Sequence, residues 1–167
     1  MNKITREEKV KIFDDLIKYY RFCKSDRRNH IFNAIYAAKK YRKSGASKQE
    51  LDEVEKSFQK AKNSYSYYSR MKVVALLLKL NLNDFITQEE KKQAIEDLLF
   101  HYDWRIKTCL FHIQASEKSL EKYREEKDIN DVKFKELEIR LLDDKEQYNS
   151  YVEKQDLTKR LKDEIVI

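Results

Sequence analysis

Two pairs of side chains in the sequence have the spacing of metal ligands on a helix. Asp97 and His101 are four residues apart, and Cys109 and His112 are three apart, so each pair could hold one ion from a single helix face. Two ligands do not complete a coordination shell. Asp97 with His101 also fits a local helix pair, and Cys109 fits a core position beside His112 at the boundary. We therefore expect no metal site.

The sequence offers little for covalent or nucleotide chemistry. Cys23 lies close to Arg21, Lys24 and His30, a setting that activates a thiol, but it also falls on an apolar helical stripe where buried cysteine is common. One glycine in the whole chain excludes Walker and GxGxxG loops, which need several. No Glu-x-x-His pair is present, so the ferritin-like di-iron ligand set is missing. We expect no catalytic residue, no cofactor and no enzyme activity.

Positive charge is concentrated near the start of the chain, where residues 18–30 read KYYRFCKSDRRNH. Residues 1–46 hold 13 basic and 5 acidic side chains, a net charge of +8, whereas residues 83–167 hold 16 basic and 21 acidic. Projection at about 100° per residue places a row of cations and aromatics on one outward face of the first helix. The predicted partner-binding or nucleic-acid-binding residues are Arg21, Arg27, Arg28, Phe32, Tyr36, Lys39, Lys40, Arg42 and Lys43.

Cations interleaved with large aromatics suit two kinds of partner. They can contact phosphates while the rings stack on bases, or they can dock onto an acidic protein surface. Alternatively, Phe32 and Tyr36 pack beneath another helix and the cations are only solvated. On the apolar face of the same helix, Lys24 and Arg27 interrupt the pattern. We favour a break near residues 24–27; the alternative is that both basic side chains enter the seam between helices and need acidic partners.

The composition predicts helices as the elements that carry these residues. The chain has 167 residues, no proline and one glycine, so it lacks the residues that most turns and hairpins require. Thr5 with Glu8, Ser47 with Glu50, and Thr87 with Glu90 have capping-box spacing. We predict helices at about 5–44, 48–82, 88–127 and 131–165. The fold class is all-α, an elongated antiparallel bundle with coiled-coil-like packing in a single domain, 1–167.

Apolar residues on the last three predicted helices follow steps of three and four, with Asp144 interrupting the fourth. The third helix carries a second apolar stripe, Phe100, Trp104 and Phe111. Such a stripe indicates either a helix between two neighbours or contact with another subunit, as in a homodimer.

No sequence feature indicates a membrane or an export signal. The longest apolar block, residues 73–78, is far shorter than the roughly 20 residues that span a bilayer, and the charged N-terminal residues lack a signal-peptide pattern. We expect a cytoplasmic protein with no membrane partner.

These observations favour a non-enzymatic helical interaction module whose basic N-terminal face binds an acidic protein surface or a ribonucleoprotein. Frequent lysine, asparagine, isoleucine and tyrosine are typical of AT-rich coding DNA. By analogy with such proteins as a class, this composition suits a small phage or mobile-element inhibitor of a nucleic-acid-handling protein, such as an anti-CRISPR protein. The alternatives are a sequence-independent DNA-binding or RNA-binding protein and a structural homo-oligomer.

Overall fold

The computed structural model describes residues 3–125 and 132–165 and is all-α within those ranges. Four long helices follow in chain order: α1 (Arg6–Ser44), α2 (Lys48–Lys79), α3 (Gln88–Glu125) and α4 (Val132–Ile165), with a short 3-10 turn at Asn83–Phe85. The predicted fold class is confirmed. The predicted junction between the third and fourth helices lies partly outside the described residues.

Three helices begin at the predicted capping boxes. The Thr5 hydroxyl accepts from the Glu8 amide at 3.2 Å, and the Glu8 carboxylate accepts from the Thr5 amide at 2.7 Å. Ser47 with Glu50 makes the same reciprocal pair. Thr87 with Glu90 does so at the start of α3. Each box satisfies amides that a helix N-terminus would otherwise leave unpaired.

Two helices end with a residue in the left-handed conformation. Gly45, at φ 71°, closes α1, and the Ala46 amide donates to the Tyr41 carbonyl at 3.0 Å. Asn81, at φ 58°, takes the same role after α2, where the Leu82 amide donates to the Leu77 carbonyl at 2.9 Å. Asparagine tolerates this conformation better than most residues, so α2 ends at Lys79 rather than at the predicted residue 82.

The chain forms two compact units, and the first contains Thr5–Ala94. In this unit α1 and α2 run antiparallel: Asp14 accepts a 2.6 Å hydrogen bond from Lys79, and the rings of Tyr20 and Tyr68 lie 6.2 Å apart. Most buried residues of the two helices lie near the start of α1 and the end of α2: Ile12, Phe13, Leu16, Ile17, Tyr20, Met71, Val74, Ala75 and Leu78. Burying one large apolar side chain of this kind contributes about 1.5–3 kcal/mol.

Beyond Tyr20 the α1–α2 seam becomes thin. Ala34 is the buried residue in the rest of α1, and Ala61 is its counterpart in the first part of α2. Ile35, which the helical projection assigns to the core face, is 39% exposed. This half of the first unit is therefore a long, lightly packed two-helix arm that leads to the turn at Gly45.

The break predicted near residues 24–27 is wrong, because α1 is continuous from Arg6 to Ser44. Lys24 and Arg27 are half-buried at the edge of the seam. The Lys24 ammonium lies 5.0 Å from the centre of the Tyr65 ring on α2, so its neighbour is an aromatic face rather than an acid. Long basic side chains can cover apolar surface with their stems while their charged ends reach water, which removes the need for a break.

The second unit contains Ile4 and the described residues from Ile95 onward. Here α3 and α4 run antiparallel, since Lys162 donates to Glu96 at 3.1 Å and Lys145 pairs with Glu117 at 2.8 Å. The α3 seam includes Ile95, Leu98, Tyr102, Cys109, Ile113, Ser116 and Leu120, all buried. Leu99 and Ile106 of the same helix are half-buried. The single domain predicted from length stays a prediction.

Asp144 occupies a seam position of α4 between apolar neighbours. Its side chain is 12% exposed, and its nearest ionisable groups are His112 Nδ1 at 3.8 Å and Arg140 Nε at 4.0 Å. Among the described residues, Asp144 Oδ2 has no hydrogen-bond donor. The interruption predicted for the fourth helix is therefore a buried carboxylate with incomplete compensation.

Ile4 is a buried residue of the second unit, and its backbone is hydrogen-bonded to the end of α4. It is 5% exposed, and its amide donates to Glu164 Oε1 at 2.6 Å. This hydrogen bond links two positions 160 residues apart in sequence.

Candidate partner-binding face

The outward face of α1 carries cations and aromatic rings along most of the helix. Arg21, Arg28, Phe32, Tyr36, Lys39 and Lys43 follow one another at intervals of three, four or seven residues, so they share one side of a regular helix. All six are exposed. From Arg21 to Lys43 the row extends about 33 Å at 1.5 Å per residue.

Both predicted aromatics of this row face solvent. Phe32 is 55% exposed and Tyr36 is 72% exposed, so the alternative that they pack beneath another helix is wrong. The Arg28 guanidinium lies 5.5 Å from the centre of the Phe32 ring, a distance typical of a cation–π contact. The two rings therefore add exposed apolar surface to a basic face instead of supporting the core.

Lys40 and Arg42 widen the face on either side. Each lies about 80° from Phe32 in helical projection, and both side chains are exposed. Phe22 lies about 80° away on the same side as Lys40 and is 72% exposed. Phe22 is not among the predicted binding residues, although its position beside Arg21 and opposite the apolar stripe would have indicated it. The basic face comprises Arg21, Phe22, Arg28, Phe32, Tyr36, Lys39, Lys40, Arg42 and Lys43.

Arg27 lies apart from the basic face. Its side chain is 34% exposed, with Nη2 3.6 Å from Asp26 and Nη1 3.1 Å from His30 Nδ1. Its Nε is buried without a hydrogen-bond partner among the described residues. The structure therefore places Arg27 at the seam edge, about 140° from Phe32, and its predicted role in binding stays a prediction.

Among the described residues, no carboxylate neutralises the cations of the basic face. Within residues 3–125 and 132–165, no ion pair joins a carboxylate to any of these cations: Arg21, Arg28, Lys39, Lys40, Arg42 and Lys43. Lys39, Lys40, Arg42 and Lys43 also lie in the last turns of α1, where the helix dipole favours positive charge. The result is a patch of positive potential that can attract and orient an acidic surface.

A shallow groove lies between α1 and α2 in the lightly packed arm. Its volume is about 350 Å³, and its walls are His30, Asn33, Ala34, Ala37, Val54 and Ser57. Small side chains on both helices leave this space open, because they do not fill the gap between the two backbones. Periodicity could not have predicted the groove, since it reports which side of a helix is apolar and not how closely two helices approach.

The pairs with metal-ligand spacing do not assemble a larger site. Among the described residues, no group of three or more histidine, cysteine, aspartate or glutamate side chains can hold a metal ion. Cys109 is buried, and burial is the main cause that raises the pKa of its thiol, with a smaller contribution from Asp144. A raised pKa disfavours the thiolate and therefore nucleophilic reactivity.

Comparison with known proteins finds no matching family model, no similar curated protein and no similar solved structure. In the part of the chain that the structure describes, none of the helices has the length and apolar character needed to cross a membrane.

Proposed function

We propose that this protein is a non-enzymatic helical interaction module that binds an acidic protein partner through the basic face of α1. One observation carries the proposal: a single helix face combines six exposed cations that lack ion pairs within the described residues with three aromatic rings that are 55–72% exposed. Interface centres are enriched in arginine, tyrosine and phenylalanine. A surface of this composition supplies both electrostatic attraction and apolar anchors.

The charges near the end of the two-helix arm favour a protein over a nucleic acid. Asp52, Glu53 and Glu55 are exposed at the start of α2, just beyond the turn that follows Lys43. Such carboxylates repel a phosphate backbone that approaches this end of the arm. A protein surface of mixed sign can match both sets of charges.

The finer proposal is a cytoplasmic inhibitor of phage or mobile-element type, with a nucleic-acid-handling protein or ribonucleoprotein as its target. Composition and the basic face support it. Inhibition would follow from occupying an acidic surface that the target needs for its own contacts, and no reaction at the inhibitor is required.

A second candidate function is sequence-independent binding of DNA or RNA by the same face. The 5.5 Å contact between Arg28 and the Phe32 ring favours it, because cations beside exposed rings suit phosphate contact with base stacking. This function requires an affinity that falls steeply with salt.

The test compares two charge-reversed double variants with the same net charge. Arg28→Glu with Lys39→Glu alters the basic face, whereas Lys60→Glu with Lys62→Glu alters exposed positions of α2. Each protein is immobilised and used to capture proteins from nuclease-treated host lysate. We expect the wild type and the α2 variant to retain a common acidic protein that the basic-face variant loses.

Circular dichroism melting of all three proteins controls for folding. Capture of the same proteins by the basic-face variant would contradict the proposed function. A titration with single-stranded and double-stranded nucleic acids at low salt separates the second candidate: tight binding that weakens at least tenfold in the basic-face variant alone would establish it instead.

A further inference from the structure

A second exposed stripe lies on α3, on the side away from α4. Phe100 is 70% exposed, Trp104 54% and Phe111 68%. In helical projection Trp104 lies about 160° from the buried Tyr102, which packs against Tyr151 of α4 at a ring distance of 6.1 Å. These three aromatics therefore make no contribution to the α3–α4 seam.

The stripe continues in both directions with regular steps of four and three residues. We define the α3 stripe as Gln93, Asp97, Phe100, Trp104, Lys107, Phe111, Gln114 and Lys118. This spacing is the heptad pattern through which one helix packs against another along its length. Three of its four central positions are aromatic, the fourth is Lys107, and its ends are polar, as in a surface that becomes buried in the middle and stays wet at the rim.

The α3 stripe is complementary to a second copy of itself that runs in the opposite direction. When a second copy lies antiparallel with its centre between Arg105 and Ile106, Phe100 meets Phe111 of the other copy and Trp104 meets Lys107. The outer positions match polar with polar, Asp97 with Gln114 and Gln93 with Lys118. A two-fold axis requires this reciprocity, in which residue i contacts j and j contacts i.

The central contacts suit the chemistry of the paired groups. Lys107 is 70% exposed and pairs on its own helix with Asp103 at 2.7 Å, so its ammonium is held near the surface that the second copy would cover. An ammonium over a tryptophan face gives the most favourable cation–π contact among the aromatic side chains. Tryptophan is also the residue most enriched at interface hot spots.

The exposed area agrees with a dimer of ordinary size. At about 150–250 Å² for each aromatic side chain, the exposed fractions of the three rings give about 400 Å² per copy. Two copies would bury about 800 Å² of ring surface, and the flanking polar positions extend this toward the roughly 1,200–2,000 Å² of a standard interface. We propose that the α3 stripe is a homodimer interface and that its occupant is the α3 stripe of a second copy in antiparallel register. This proposal is independent of the partner of the basic face.

Sedimentation equilibrium of the full chain tests the proposal over about 1 µM to 1 mM, a range that resolves dimers of moderate affinity. We expect the wild type to shift with concentration from 20.3 kDa toward twice that mass. Phe100→Glu and Phe111→Lys, measured separately, should each weaken the dimer at least tenfold. Leu142→Glu, a matched change at a 63% exposed position of α4, should leave it unchanged.

Mixing the two α3 variants tests the register itself. In the mixed dimer the introduced charges of opposite sign face each other at one end, while the original phenylalanine pair is kept at the other. We therefore expect mass near the dimer value to return on mixing. A wild type that stays at 20.3 kDa up to about 1 mM, equal loss in Leu142→Glu, or no recovery on mixing would each overturn the proposal. The Arg28→Glu with Lys39→Glu variant should still dimerise, which separates this result from failure of the proposed function.

Discussion

Replacing Asp144 by leucine should stabilise the second unit. Asp144 lies in the α3–α4 seam with its side chain 12% exposed, and its Oδ2 atom has no donor among the described residues. Its two ionisable neighbours, His112 and Arg140, are 40% and 62% exposed and lie at 3.8 and 4.0 Å. Those distances are long for ion pairs, and both neighbours can return to water if the carboxylate is removed.

The size of the effect follows from three contributions. Removing a buried unsatisfied acceptor recovers about 1–3 kcal/mol, and burying a leucine side chain adds about 1.5–3 kcal/mol. Losing the partly exposed ion pair with Arg140 subtracts about 0.5 kcal/mol, and imperfect fit of the larger side chain subtracts about 1–2 kcal/mol. The net expectation for Asp144→Leu is a gain of about 1–3 kcal/mol in the free energy of unfolding, within the range seen when buried ion pairs become apolar.

Urea denaturation at neutral pH measures this gain. Trp104 is the single tryptophan of the chain and lies on α3, so its fluorescence reports on the second unit while circular dichroism reports on all helices. Asp143→Leu, at the exposed neighbouring position, is the matched control and should change stability by less than about 0.5 kcal/mol. A loss of more than about 1 kcal/mol in Asp144→Leu would refute the reasoning, because it would mean that the carboxylate is well compensated.

Two further predictions concern the helix ends of the first unit. The hydrogen bond from Arg70, followed by that from the Thr87 amide, lowers the pKa of Glu90 from 4.5 to about 2. The ionised carboxylate should therefore contribute to the free energy of unfolding above about pH 4.5, and this contribution should be lost as the pH falls toward 2. Since solvent screens this half-exposed pair, we expect Glu90→Gln to lower the free energy of unfolding by about 1 kcal/mol at pH 7. Urea denaturation of the wild type and of Glu90→Gln should show that the two stabilities converge near pH 2. A difference that stays constant with pH would argue against a lowered pKa for Glu90. Gly45→Ala should cost about 1–2 kcal/mol because φ is 71° although the added methyl group meets no atom within 4 Å. Thermal melting should show a smaller loss for Gly45→Asn, and equal losses would point to a cause other than backbone conformation.

Local signals in the sequence were sufficient for the helices. The boxes at Thr5, Ser47 and Thr87 depend on neighbours within a few residues, and all three were predicted, as was the end of the first helix at about residue 44. The end of α2 was missed because Asn81 can adopt either a helical or a left-handed conformation, and packing decides between them. Leu82 was therefore assigned to the helix although it lies beyond the cap.

Long-range contacts limited the prediction of the candidate site. Lys24 and Arg27 led to the prediction of a break in the first helix. The sequence does not reveal that the Lys24 ammonium lies over the Tyr65 ring on the other side of the seam. Periodicity placed Phe32 and Tyr36 on the outward face but left open whether another helix covers them. The answer depends on how whole helices are arranged, and the apolar pattern of one helix does not report that arrangement.

The hydrogen bond between Ile4 and Glu164 has a consequence for the order of folding. The α1–α2 contacts close short connections and can form early, whereas this bond joins residues 160 positions apart. Closing a flexible loop of that length costs about 4–5 kcal/mol of chain entropy by the (3/2)RT ln n rule. Docking of the Ile4 segment should therefore follow formation of the helices, and it should be among the first contacts to open in native-state hydrogen exchange.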